Sequence, residues 1–378
     1  MKWYEIALAG VLVSLPLAGA RAAETSYDMS ARIEPQTGTV SVTVAIDNPP
    51  AEEFSLYRGF TVRRVTADGK SVAFSVDPTG KTSPYAPKAQ AIRFSADRPK
   101  RVTVVYDGTM AASDFAGFMS VNGVERDRVE LGLYAPWFPV FDKAGVFDFR
   151  LAADLPKAYL AVSNGVFDGK TIKNDRAVSR FHSVRPVFDI TLVASPNFKA
   201  YSSKDGTIDF YSRNIPVDIL EKNAQGLAEG RRWLASLWGE PQLSGSVRIA
   251  YMQRSLGGGY SRLPLIVVNE QKDPDALAAG DAARHHYHYL AHEMSHFWWG
   301  IADADTADGW IDEGLAEYNA DRLTARRFGP LTAERLAENS ARIDRSSKTD
   351  SAIAETLPTS PDHELNWYAK SARMFARA

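Results

Sequence analysis

The apolar and polar positions divide the chain into a long β-rich stretch and a second stretch in which strands give way to helices. From about Thr25 to Pro196, short β-branched or aromatic runs recur at Tyr27–Ile33, Thr39–Ile46, Ser71–Val76, Ala91–Ser95 and Arg101–Tyr106. Turn-forming clusters separate them at Asp47-Asn48-Pro49-Pro50, Asp68-Gly69 and Asp77-Pro78-Thr79-Gly80. Short strands at this spacing predict an all-β sandwich or saddle. Pro196-Asn197-Phe198 to Asp205-Gly206 reads as a junction. Beyond it, Thr207–Arg213, Ser246–Met252 and Leu265–Asn269 predict strands. Val217–Leu237 repeats its leucines and Ile219 at helical period. Ala278–Trp299 holds no proline and one glycine, so it can be a single helix. A further helix is predicted from about Trp310 to Phe328, where Gly329-Pro330 stops it, and others over Leu331–Ile343 and from Trp367. The expected class is α+β, with an all-β domain over 23–198 and a sheet-plus-helices domain over 199–378.

Composition narrows the setting. A chain of 378 residues can bury two cores, and 45% hydrophobic with 24% charged residues is ordinary for a soluble globular protein. A net charge of −2 gives no reason to expect nucleic acid as a partner. There is no cysteine, which excludes disulfides and thiolate metal sites. At the amino terminus Lys2 precedes an apolar run from Ile6 to Ala20 and then Ala20-Arg21-Ala22-Ala23, the pattern of a signal peptide cleaved before Ala23. The run falls short of the ~20 residues that span a bilayer, so no stable membrane insertion is expected after cleavage. Residues 1–22 are therefore set apart from the fold, and a periplasmic or secreted location is expected.

The candidate chemistry lies in Ala291-His292-Glu293-Met294-Ser295-His296-Phe297-Trp298-Trp299-Gly300. Residues four apart share a helix face, so His292 and His296 can present both imidazoles to one metal ion. Glu293 is turned about 100° from His292, free to act as a general base toward water. Two imidazoles suit zinc, and a catalytic zinc needs a third protein ligand and an open position. Sixteen residues separate His296 from Glu313, which sits in Trp310-Ile311-Asp312-Glu313-Gly314-Leu315-Ala316-Glu317-Tyr318. Glu313 would complete a His, His, Glu set for one Zn²⁺ per chain. Glu317, one turn on, can accept the second ring N–H of a ligating histidine. The preceding His285, His286 and His288 are expected to be ordinary helix residues.

HEMSHFWWG followed by WIDEGLAEY resembles the gluzincin metallopeptidases, in particular the membrane alanyl aminopeptidase and leukotriene hydrolase family. This chain has a slightly shorter spacer, the loss falling in the polar stretch Ile301–Gly309, and Asp312 where the family has asparagine. Tyr134-Ala135-Pro136-Trp137-Phe138-Pro139-Val140-Phe141-Asp142 and Ala161-Val162-Ser163-Asn164-Gly165 resemble segments of the family's amino-terminal β-domain, in the same order. The resemblance implies a thermolysin-like catalytic domain after the β-domain, and zinc-dependent, aminopeptidase-like hydrolysis of peptide bonds. Asn366-Trp367-Tyr368-Ala369-Lys370-Ser371-Ala372 resembles the family's Tyr-x-Lys-Gly-Ala segment, which puts the oxyanion donor on Tyr368, with Ser371 in place of glycine. The family's Gly-x-Met-Glu-Asn segment corresponds to Gly257-Gly258-Gly259-Tyr260-Ser261. Gly257, Gly258, Gly259 and Tyr260 are expected to line the peptide, the glycines allowing close backbone approach, but the acid that would bind a free α-amine is missing. Glu130, Asp362 and Glu364 stand as alternative carboxylates. A gluzincin endopeptidase, a non-peptide hydrolase or a catalytically weak peptide-binding protein are the alternatives that this departure raises. Larger family members continue past the helix that begins near Trp367, so the resemblance also implies a catalytic domain cut short at its carboxyl side.

Overall fold

The computed structural model describes residues 25–80, 89–110, 121–142, 145–241, 243, 245–254, 258–270, 273–299, 306–330 and 351–376. The signal-peptide segment, Gly257 and the helix expected over Leu331–Ile343 lie outside the described residues. The first half is built from three antiparallel-dominated sheets. The largest runs in the order Val166–Lys173, Arg176–His182, Asp148–Pro156, Ser26–Glu34, Thr39–Asp47, Arg101–Thr109, Phe60–Ala67, Lys70–Ser71, with Ser26–Glu34 and Asp148–Pro156 as its parallel pair. Along Ser26–Glu34 the alternation read in the sequence puts Tyr27, Met29, Ala31 and Ile33 inward.

Strands outside the expected runs include Glu53–Tyr57, Phe60–Ala67, Arg128–Leu131, Val166–Lys173 and Tyr260–Arg262, and the single run Ser71–Val76 is divided between two sheets. Val72 N–H bonds back to Val65 in the large sheet, whereas Ser95 N–H bonds to the Ala73 carbonyl in the three-stranded one. Alternation along a run does not say which neighbour will pair with it, so this transfer between sheets is invisible locally. The aromatic Pro136–Asp142 segment serves the core. Trp137 and Phe138 are fully buried, and the Tyr106 hydroxyl and the Trp137 indole N–H each find a carbonyl, on Trp137 and Ile190 respectively.

The second half begins with a five-stranded mixed sheet in the order Lys199–Ser202, Ile208–Ser212, Val247–Met252, Leu265–Asn269, Tyr260–Arg262. Helix α1 (Val217–Trp238), α2 (Gly280–Trp299) and α3 (Gly309–Phe328) pack with it through Leu227, Leu234, Ile249, Leu290, Met294 and Leu323. A separate apolar cluster joins the two halves, with Val121, Val162 and Val193 meeting Met252, Tyr260, Leu265 and Val267. Two buried guanidiniums reinforce this seam. Arg248 donates to the Ser163 carbonyl, and Arg262 Nε lies 2.7 Å from Asp189 Oδ2. Among the described residues no helix is long and apolar enough to cross a membrane.

Candidate metal centre and active site

Helix α2 carries both histidines because its apolar positions Tyr287, Leu290, Ala291 and Met294 are committed to the core. That commitment turns His292 and His296 toward α3. Their rings are edge-on, with centroids 4.9 Å apart. Glu313 on α3 meets both: its Oε2 lies 3.2 Å from His292 Nε2 and 3.7 Å from His296 Nε2. The outward-facing ring nitrogens are held by other carboxylates. His292 Nδ1 is 3.0 Å from Glu317 Oε2, and His296 Nδ1 is 2.7 Å from Asp312 Oδ1. Each Nδ1–H donates to its carboxylate, which leaves both Nε2 atoms turned toward Glu313. The residue absent from the sequence-derived set is Asp312. Its only local signal was that it stands where the resembled family has asparagine.

These residues fit a divalent cation. The possible ligand atoms of His292, His296 and Glu313 lie within 4.8 Å of one another, and Glu313 Oε2 is buried with no hydrogen-bond partner. Three lone-pair atoms converging in a buried space repel unless a cation or bound protons sit among them. The charge balance agrees. Burial works against charge on His292, but Glu313 and Glu317 outweigh it and hold its pKa well above the ordinary imidazole value. Burial likewise opposes charge on His296, while Asp312 and Glu313 lift it to about 9. Burial would raise Glu313, yet His296 and His292 bring it down to about 2. The donor set of two imidazoles and one carboxylate is the one that suits zinc.

Glu293 is buried beside this group, and burial raises its pKa above the ordinary glutamate value against the pull of His296 and His292. Ser261, on the edge strand Tyr260–Arg262, reaches it directly. Its Oγ lies 2.6 Å from the Glu293 carbonyl oxygen and 2.9 Å from Oε2. A Cβ at Gly259 would come within 2.5 Å of both Glu293 Oε1 and the Tyr289 hydroxyl. A glycine there lets the loop backbone lie against the carboxylate. Of the expected peptide-lining residues, Gly258 and Gly259 border this spot. Tyr260 is instead buried in the seam, its ring edge-on to Tyr134 with the Arg262 guanidinium nearby. Ser261 was quoted in the sequence only as part of its segment; its contact with Glu293 depends on the strand pairing and has no local signature.

Tyr368 arrives from the last helical segment, a π-helical turn over Leu365–Lys370 running into an α-helix at Ser371–Phe375. Trp367 is 1% exposed and donates its indole N–H to the Thr356 carbonyl. The segment sits closely on α3, with Trp367 against Gly309 and Ser371 against Gly314, where an added Cβ would collide. Gly314 thus leaves room for the serine that replaces the resembled glycine. Tyr368 lies near parallel to His292, ring centroids 5.9 Å apart and planes 21° apart, and its hydroxyl hydrogen-bonds Glu313. His363, for which the sequence offered no role, packs edge-on against the Tyr368 ring.

The other histidines separate. His288 Nε2 lies 3.1 Å from Asp321 Oδ1 and 3.6 Å from Glu317 Oε1, so it steadies the carboxylate that holds His292. His286 is buried, its Nε2 3.0 Å from the Tyr251 hydroxyl, and burial pushes its pKa down to about 4. This yields a pH prediction. The unfolded chain takes a proton on His286 below about pH 6.5 and the folded chain does not until about 4. Stability is therefore lost as pH falls through that window, by up to about 3 kcal/mol. Chemical denaturation at pH 7.5 and 4.5 checks it: His286→Gln should show a visibly smaller loss between the two. An equal loss would mean that other groups govern acid sensitivity.

Comparison of the fold with solved structures gives 145 matching chains. The M1 zinc metallopeptidase of Deinococcus radiodurans, solved as a variant bound to a Tyr-Ser-Ala substrate, matches with TM-score 0.65 at 17% identity, over 92% of this chain and 80% of that one. This chain has the fold of the M1 zinc metallopeptidases. Yeast LTA4 hydrolase, solved in complex with bestatin, shares it with TM-score 0.62 at 14% identity, over 94% of this chain and 59% of that one. The M1-type fold agrees with the family resemblance drawn from HEMSHFWWG and WIDEGLAEY, and the mixed architecture of several β-sheets and helices is common to these structures. No family model matches the sequence, and no curated protein matches it.

Proposed function

We propose that this chain hydrolyses peptide bonds with one zinc ion held by His292, His296 and Glu313. The observation that carries this is the convergence of both Nε2 atoms on a buried, unpartnered Glu313 oxygen, with Glu293 alongside. A bound zinc ion would act as Lewis acid on the scissile carbonyl and lower the pKa of water toward ~7. Glu293 takes a proton from the attacking water and delivers it to the leaving amine. Ser261 Oγ, within reach of both the Glu293 carbonyl oxygen and Oε2, holds the side chain in place for this transfer. Tyr368 donates to the oxyanion that develops on the carbonyl, its hydroxyl already standing at Glu313. Asp312 and Glu317 keep the two imidazoles in the tautomer that offers Nε2. The D. radiodurans neighbour, with Tyr-Ser-Ala bound, supports a peptide as the substrate class.

Cleavage near the amino terminus is the first form of this proposal, and it rests on the resemblance carried by HEMSHFWWG and WIDEGLAEY. A second form, cleavage of internal or amino-blocked chains, is favoured by one observation: Glu130, a carboxylate available for a free α-amine, already faces Arg128 and Arg254. Export is proposed from the apolar run Ile6–Ala20 and the Ala20–Ala23 segment, and amino-terminal sequencing of the mature protein should begin at Ala23.

Two experiments test the chemistry. Protein stripped with a chelator should cleave no member of a peptide library, and one equivalent of zinc should restore cleavage. Cleavage by thoroughly metal-free protein would end the zinc proposal. Tyr368→Phe should keep zinc and KM and lose about 10²-fold in kcat, the usual effect of removing one oxyanion donor. A loss confined to KM would instead make Tyr368 a substrate-binding residue.

A further inference from the structure

The wall beside Glu293 contains a second polar group that the proposed hydrolysis does not use. Glu130 lies on the strand Arg128–Leu131 and its side chain is fully buried. Its Oε2 is 3.2 Å from Arg128 Nη1 and 3.4 Å from Arg254 Nε. The Arg254 side chain is 2% exposed, and its Nη1 donates to the Gly258 carbonyl. The next residue, Gly259, is the one whose backbone lies against Glu293 Oε1. The guanidinium is thus joined to the catalytic carboxylate through two residues of glycine backbone. Four atoms of this group are buried without a hydrogen-bond partner: Glu130 Oε1, Arg254 Nε and Nη2, and the Tyr260 hydroxyl.

The charges decide what such a group can receive. A substrate ammonium offers only donors and needs a carboxylate that no other cation has neutralised. Glu130 has two guanidiniums, Asp189 has Arg262 at 2.7 Å, and Glu293 is reserved for proton transfer. Asp362 accepts from Ser351, and Glu364 is exposed on the last helical segment. A carboxylate ligand would suit Arg254 but would face Glu130. A neutral amide has both halves of the match, with its C=O accepting from Arg254 Nη2 and its N–H donating to Glu130 Oε1.

Resting on the proposed peptide hydrolysis, we propose that Arg254 is a specificity-determining residue that closes Glu130 to a free α-amine. The substrates are peptides that present an amide at this position, either because the amino end is acylated or because the chain continues past it. Arg254 sets this preference by occupying the carboxylate, and Glu130 holds it there.

The test uses the zinc-loaded full chain and one fluorogenic peptide made with a free and with an acetylated amino terminus. Wild-type kcat/KM should favour the acetylated form by about 10-fold or more. Arg254→Met removes one of the two guanidiniums, leaves Arg128 on Oε2 and Oε1 open to a donor, and should move the preference toward the free amine by at least that factor. Adding Glu130→Gln to Arg254→Met should cancel the shift, which a merely misfolded wall would not do. Equal or better wild-type cleavage of the free peptide overturns the proposal, as does an unchanged preference in Arg254→Met. Binding of both peptides to zinc-loaded Glu293→Gln, read by calorimetry, separates this inference from the hydrolytic one. Tighter binding of the acetylated peptide by a chain that never cleaves it would sustain the specificity and sink the hydrolysis. Equal binding, or binding of neither, would sink the specificity.

Discussion

Glu293→Gln is expected to retain its zinc and its fold while hydrolysis falls by roughly 10²- to 10⁴-fold, the range for loss of one general base. The substitution keeps side-chain volume, and an amide oxygen can still accept from Ser261, whose Oγ lies 2.9 Å from Glu293 Oε2. What disappears is the basic lone pair beside His292 and His296. Metal analysis should therefore give the wild-type zinc ratio, and the melting temperature should move little. The loss should appear in kcat with KM nearly unchanged, because Glu293 handles a proton and does not hold the ground-state peptide. An unchanged rate in this variant would defeat water activation by Glu293 outright. A matching loss of zinc would show instead that the residue serves the metal.

Glu313→Ala should abolish stoichiometric zinc binding. Its Oε2 lies 3.2 Å and 3.7 Å from the two Nε2 atoms, and removing it leaves zinc with two protein ligands. Carboxylates that only orient a ligating imidazole are worth about 10- to 100-fold in metal affinity. Glu317→Gln and Asp312→Asn should fall in that range, while Glu313→Ala should exceed it. Competition against a chromophoric chelator gives all three affinities. Thermal unfolding gives an independent readout, since a ligand present at 100 times its Kd stabilises by about 2.7 kcal/mol. Added zinc should raise the wild-type melting temperature and leave that of Glu313→Ala unmoved. Zinc held at the wild-type ratio by Glu313→Ala would show that the donor set is misassigned.

What the sequence alone could determine was everything governed by near neighbours. His292 and His296 share a face because a helix repeats every 3.6 residues, and the proline-free run around them lets one helix carry both. Alternation placed Tyr27, Met29, Ala31 and Ile33 inward for the same local reason. Glu313 and Glu317 were legible because they stand one turn apart on the next helix. Tyr368 was legible through the resemblance of its segment, and the structure sets its ring beside His292.

Tertiary structure decided which distant groups meet. Asp312 holds His296, and Ser261 reaches Glu293 across 32 positions from the strand Tyr260–Arg262. Arg254 faces Glu130 from the other half of the chain. None of these contacts has a fixed sequence spacing, because each depends on how a strand edge and a helix face are brought together by burial of apolar surface elsewhere. The split of Ser71–Val76 between two sheets has the same origin: the pairing partner lies across space, and nothing within the run names it.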